Sequence, residues 1–138
     1  MSAWYLDTSA FLKLVGEEPS SDAMHAWVLE READADRLFS SDILRTEAVR
    51  AIRRTGDEDA LGRTYATLAD VALIRLTAET YDAAALLDPP SLRSLDAIHI
   101  AAAQSLGSEL GGIVAYDNRL IDAARTVGIT SVSPGLDP

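Results

Sequence analysis

Ile113-Val114-Ala115-Tyr116-Asp117-Asn118-Arg119-Leu120-Ile121-Asp122-Ala123-Ala124-Arg125-Thr126-Val127-Gly128-Ile129-Thr130-Ser131-Val132 is the stretch that decides the fold class. Three apolar residues, Ile113 to Ala115, read as a strand. Asn118 to Val127 then carries helical periodicity, and Ile129 to Val132 reads as a second strand. Two short strands joined by a helix form a parallel pair, because the crossover returns the chain to the same end of the sheet.

Upstream the alternation repeats. Trp4-Tyr5-Leu6 is a strand candidate, followed by Phe11, Leu12, Leu14 and Val15 at helical spacing until Gly16 and Pro19 stop the helix. A second helix is expected from near Ser21, with Met24, Trp27 and Val28 on one face; such a stripe is core more often than a partner surface. Ser40-Ser41-Asp42 is expected to open a third helix running to about Arg54, and a fourth follows through Leu61, Tyr65 and Leu68. Val71 to Leu76 reads as a strand and Thr77 to Leu87 as a helix, ended by Pro89-Pro90. Ser94 is expected to cap a nearly all-apolar helix from Leu95 to Leu106. The expectation is one α/β domain over residues 1–138, a parallel sheet with helices on both faces.

Composition narrows the chemistry. The 138 residues include no cysteine and two histidines, His25 and His99, far apart in the chain. Disulfides, thiolate nucleophiles and thiolate zinc sites are thereby excluded, and a His-rich zinc centre is disfavoured. No apolar run reaches membrane-spanning length, and the N-terminus has no basic region ahead of its short apolar stretch, so a cytoplasmic setting is expected. The net charge of −10 is unusual for a nucleic-acid binder. It fits either a partner other than nucleic acid, acids gathered at a metal site with arginines elsewhere handling phosphate, or a basic partner chain over the acids.

Four acids stand out. Asp7 and Asp117 each follow a strand and open a helix, at the edge where parallel α/β sheets bind ligands. Each alone reads as a helix cap as readily as a ligand. Asp96 sits in a helix otherwise apolar on almost every side, where an uncompensated carboxylate is costly; a first-turn acid paired with Arg93 is its bland reading. Glu47 lies at the border of the apolar face formed by Leu44, Ala48, Ala51 and Ile52, with Arg50 and Arg54 beside it. There an exposed Glu–Arg pair competes with a ligand carboxylate flanked by phosphate-holding cations. Taken together the four weigh differently. Two carboxylates about 4 Å apart repel by roughly 4 kcal/mol at an effective dielectric of ~20, so a cluster persists only with a cation or with protons taken up. Oxygen ligands without thiolate or an imidazole pair select Mg²⁺ or Mn²⁺, ions used for phosphoryl chemistry.

The segments Tyr5-Leu6-Asp7-Thr8-Ser9-Ala10, Glu47 in its Arg-rich helix, Leu95-Asp96-Ala97-Ile98-His99 and Ala115-Tyr116-Asp117-Asn118-Arg119-Leu120 occur in this order along the whole chain. In that order they resemble the PIN-domain nucleases, most closely the VapC-type toxins of toxin–antitoxin pairs. The resemblance implies a three-layer α/β/α sandwich with a short, mainly parallel sheet, and a Mg²⁺- or Mn²⁺-dependent endoribonuclease. It implies Asp7, Glu47, Asp96 and Asp117 as the acidic residues, Ser9 as support for the metal shell, and a small antitoxin partner in a homodimer or hetero-oligomer. Arg50, Arg54 and Arg119 are candidates for RNA phosphate contacts. Ala115 stands where the family often has Thr or Ser, and His99 is expected to pack or hydrogen-bond near the site rather than act in catalysis.

Other classes fit less well. A haloacid-dehalogenase-like phosphotransferase needs a second Asp where Ser9 stands, and both it and a phospho-receiver domain need a late lysine, whereas Lys13 is the only one. An RNA-maturation nuclease, or an inert scaffold of the same fold used as a binding module, remains open at this level.

Overall fold

In the computed structural model, which describes residues 1–136, Trp4-Tyr5-Leu6 lies in a strand, β1 (Ala3–Leu6). Helices α1 (Thr8–Val15) and α2 (Ser21–Ala33) follow, then β2 (Arg37–Ser41). Next come α3 (Leu44–Arg53), α4 (Glu58–Leu68), β3 (Ala72–Ile74), α5 (Ala78–Ala85) and α6 (Ser94–Gln104). A single 3-10 turn at Gly107–Glu109 leads into β4 (Leu110–Val114), α7 (Asn118–Thr126) and β5 (Ser131–Val132).

All four strand pairings are parallel, in the order β3-β2-β1-β4-β5. The first three strands step outward in one direction and the fourth returns to the other side of β1. The switch point therefore falls between β1 and β4, and a crevice opens beyond their carboxyl ends.

Alternation along the strands builds two cores. Tyr5 and Ile113 face α6 and α7, joining Ile100, Ala103, Leu120 and Ala124. Leu6 and Val114 face the opposite way, toward Ala10 of α1 and Met24 of α2. Trp27 and Val28 pack partly buried against that second core, so the α2 stripe is core. Phe11 and Val15 of α1 also meet Leu44, Ala48 and Ile52 of α3 and Leu68 of α4. The result is the three-layer arrangement.

The structure corrects three local expectations. Arg37–Ser41 is a strand, and α3 begins later, at Leu44, with Ile43 at its N-cap and no side-chain cap. Ser40 and Ser41 are fully buried in that strand; the Ser40 hydroxyl donates to the Leu6 carbonyl at 2.7 Å. Asp42 caps no helix: its carboxylate accepts from Leu76 N at 3.4 Å, just past the end of β3. At α6 the N-cap position belongs to Arg93 and not to Ser94, again without a side-chain cap.

Close approach explains two glycines. A Cβ on Gly112 would sit 2.7 Å from the Thr130 carbonyl oxygen and 3.1 Å from the Trp4 ring, and one on Gly111 would meet the same ring at 3.0 Å. The β1–β4–β5 seam needs bare backbone there. No described helix is long and apolar enough to cross a membrane.

Candidate active site

The four acids come from four different elements and line one cavity of about 330 Å³, shared with Thr8, Ser9, Arg93, Ser94, Leu95 and His99. Each arrives there for a local reason. Asp7 follows β1 and is the N-cap of α1, its Oδ1 accepting from Ala10 N at 2.9 Å. Its backbone N–H donates to the Val114 carbonyl at 3.1 Å, which fastens the start of α1 to the end of β4. Asp117 is the N-cap of α7, accepting from Arg119 N at 3.0 Å. Asp96 sits in the first turn of α6, and Glu47 in the first turn of α3. The cap readings and the site reading of Asp7 and Asp117 are thus compatible: capping fixes the carboxylates at the crevice.

Ser9 joins two of these elements. Its hydroxyl lies 2.7 and 2.8 Å from the two carboxylate oxygens of Asp7, to which it donates, and accepts from Tyr116 N at 2.9 Å. Ala115 is fully buried, and its carbonyl accepts from the Ser133 hydroxyl at 2.6 Å.

Electrostatics in the cavity disfavour the ionised form of two of the acids. Asp7 is 4% exposed, and burial pushes its carboxyl up to about 6, against the hydrogen bonds from Ser9 and Ala10; Asp117 adds to the rise. Burial likewise raises the Asp96 carboxyl, with Asp117 reinforcing it and His99, Arg93 and Arg119 opposing it. Glu47 goes the other way. Burial alone would raise it, but hydrogen bonding and proximity to His99, with the Thr8 hydroxyl, hold it below its ordinary value.

The oxygen-only acids fit a hard divalent cation. Among the described residues no three acids or histidines converge into a finished coordination set. Mg²⁺ does not require one, because it retains several waters and takes only one or two carboxylates. The buried, proton-seeking Asp7 beside Asp117 supplies the charge such an ion would offset.

Other residues complete the site around the four acids. Thr8 donates to Glu47 Oε1 at 2.8 Å, and His99 Nε2 lies 2.9 Å from the same oxygen. His99 Nδ1 lies 2.7 Å from the Tyr5 hydroxyl, so the expected hydrogen-bonding role of His99 is present. Arg93 lines the cavity and also, with Asp96, a neighbouring groove of about 390 Å³ that includes Arg119. Arg50 and Arg54 are exposed and lie outside the cavity lining, and neither pairs with Glu47. Thr8 was not singled out from sequence, its one signal being its place in a helix's first turn; Arg93 was weighed only as a partner of Asp96, with which it forms no ion pair among the described residues; the Tyr5–His99 contact spans 94 residues and leaves no local trace.

A model of the family described as the PIN domain matches residues 4–126. The chain belongs to the PIN-domain family. Curated relatives include Ribonuclease VapC46 of Mycobacterium tuberculosis (strain ATCC 25618 / H37Rv), 41% identical over 134 residues, 97% of this chain and 99% of that one. Ribonuclease VapC47 of M. tuberculosis (strain CDC 1551 / Oshkosh) is 35% identical over 131 residues, 95% of this chain and 96% of its own length. This PIN domain is therefore of the VapC type. Its fold superposes on the crystal structure of M. tuberculosis VapC20, described as a sarcin-ricin loop cleaving toxin, with a TM-score of 0.71, 16% identity, and coverage of 95% of this chain and 99% of that one. At that identity the match speaks for the fold alone.

Proposed function

We propose that this PIN domain is a Mg²⁺- or Mn²⁺-dependent endoribonuclease toxin, restrained by a small cognate antitoxin. One observation carries the reading: Asp7, Glu47, Asp96 and Asp117, remote in sequence, line a single cavity at the switch point of the sheet. The curated relatives, named as ribonucleases, support RNA as the substrate.

In this reading Asp7, Glu47, Asp96 and Asp117 hold the cation. A divalent cation so held supplies positive charge to the scissile phosphate and makes a nearby water more acidic. The chain does the rest. Ser9 keeps both Asp7 oxygens oriented, and the caps at Ala10 and Arg119 fix Asp7 and Asp117 relative to the sheet. Arg93 and Arg119 line the path that continues from the cavity past Asp96, where they meet backbone phosphates. Arg50 and Arg54 meet phosphates only of RNA extending beyond the cavity mouth.

The test is cleavage of single-stranded RNA by purified protein with Mg²⁺ or Mn²⁺, and its loss in EDTA. Water as nucleophile leaves 5′-phosphate and 3′-hydroxyl ends; a 2′,3′-cyclic phosphate would reject it. Undiminished cleavage after exhaustive chelation would remove the metal from the reading. The antitoxin half is tested by co-expression with the product of any adjacent upstream reading frame. A complex without nuclease activity is expected, and a free protein harmless to its host would overturn the toxin assignment.

A further inference from the structure

Tyr5 and His99 stand at the ends of two of the acidic motifs, and they join a polar chain that runs from the core to Glu47. Tyr5 is fully buried on β1, among Ile100 and Ala103 of α6 and Ile113 of β4. His99 is 4% exposed on α6, three residues after Asp96. The phenol reaches Nδ1 at 2.7 Å, and Nε2 reaches Glu47 Oε1 at 2.9 Å. Thr8 donates to that same oxygen at 2.8 Å, and Oε2 of Glu47 has no hydrogen-bond partner among the described residues. One oxygen of Glu47 is thus held twice and the other is left for the cavity that Glu47 lines.

We propose that Tyr5 and His99 are positioning residues: the Tyr5 hydroxyl fixes the imidazole so that its Nε2–H points at Glu47, and that N–H with Thr8 clamps one carboxylate oxygen and presents the other to the cavity. A carboxylate accepts only, so the imidazole must donate through Nε2. The buried phenol keeps its hydrogen and has Nδ1 as its acceptor. That pair of requirements selects one tautomer and one ring orientation. An imidazole oriented from behind by a second polar group is a recurrent way to order the residues around a metal. The proposal deepens the nuclease reading, since it concerns how that site is held.

The test uses the full chain. In metal-free protein, ¹⁵N NMR of the imidazole should show His99 with hydrogen on Nε2 and an accepting Nδ1. In Tyr5→Phe that single-tautomer signature should be lost or broadened. Calorimetry with Mn²⁺ should show His99→Ala binding about 10- to 100-fold more weakly, the usual scale for removing such a support. His99→Gln should recover much of the loss, because its amide nitrogen donates from near the Nε2 position. Cleavage should fall mainly in kcat, with KM little changed, as expected for a group that does not touch RNA. Hydrogen on Nδ1 alone in the native protein would overturn the proposal. So would a folded His99→Ala that binds Mn²⁺ normally, or a His99→Gln no better than His99→Ala. If the native protein cuts no RNA the nuclease reading falls, while the tautomer and Mn²⁺ binding still decide the positioning claim.

Discussion

Asp7→Asn in the metal-free protein isolates the electrostatic cost of the site. Asp7 is buried, and burial pushes its carboxyl up to about 6 from its ordinary value of 3.8. Ionised Asp7 therefore weakens the folded state by about 3 kcal/mol relative to its protonated form. Between those two values the folded protein binds more protons than the unfolded chain, so its stability falls as pH rises through the window. The contribution is fully present below the unfolded value and is lost once pH exceeds the folded one. Asparagine keeps the volume and the oxygen that Ala10 N and Ser9 donate to, and it has no charge to bury.

The assay is urea denaturation in EDTA at about pH 4 and about pH 7.5, chosen to bracket the two values. Near pH 4 the variant and the native protein should be of similar stability. At the higher pH the variant should be more stable by up to about 3 kcal/mol, a midpoint shift on the order of 1 M urea. Taking the difference between the two proteins removes the opposite slope of Glu47, whose depressed carboxyl favours stability at higher pH. Added Mn²⁺ should then stabilise the native protein and not the variant. A variant less stable at neutral pH, or a gap that does not change with pH, would refute the argument and make Asp7 a structural cap.

The other expectations are briefer. Arg93→Ala with Arg119→Ala should weaken RNA binding and lower the salt dependence by about one unit of log–log slope per lost contact, whereas Arg50→Ala with Arg54→Ala should affect only RNAs long enough to leave the cavity. Mn²⁺ binding by calorimetry should weaken as pH falls through about 6, because the ion must displace the proton from Asp7. Gly112→Ala should cost about 1–3 kcal/mol in denaturation experiments, since its Cβ meets the Thr130 carbonyl and the Trp4 ring with no room to yield.

Much of the fold was legible because its strands are short, apolar and separated by strongly periodic helices. β2 was not. Its sequence, Arg-Leu-Phe-Ser-Ser, ends in two buried serines that look like a cap and turn. Ser40 is tolerated because its hydroxyl finds the Leu6 carbonyl, a partner 34 residues away that local reading cannot supply, whereas the Ser41 hydroxyl is buried without a hydrogen-bond partner among the described residues. Asp7, Asp96 and Asp117 stood out for the converse reason: position after a strand, or a charge in an apolar helix, is a local signal, whereas Glu47 by itself read as an exposed helix acid and rested on the family resemblance. What holds them is long-range, from Tyr116 N on Ser9 to Tyr5 on His99.

Burial rather than pairing separates Asp7 from the other described acids, since it is the buried one. Some acids elsewhere are paired, Glu18 with Lys13, Asp34 and Asp36 with Arg31, Asp57 with Arg63, Asp122 with Arg125, while others such as Glu17, Glu58 and Asp59 stand exposed without an ion pair. Asp7, Asp96 and Asp117 make no such pair among the described residues, although Arg93 and Arg119 are near enough to lower the Asp96 carboxyl. Asp96 is only half-buried and Asp117 is exposed, so the cost of leaving a carboxylate unpaired falls mainly on Asp7. In the proposed function the unpaired acids are free for a divalent cation and Arg93 and Arg119 for RNA phosphates. On that proposal the charge of −10 is compatible with RNA binding, because the acids that would oppose RNA at this face are the ones a divalent ion would neutralise first.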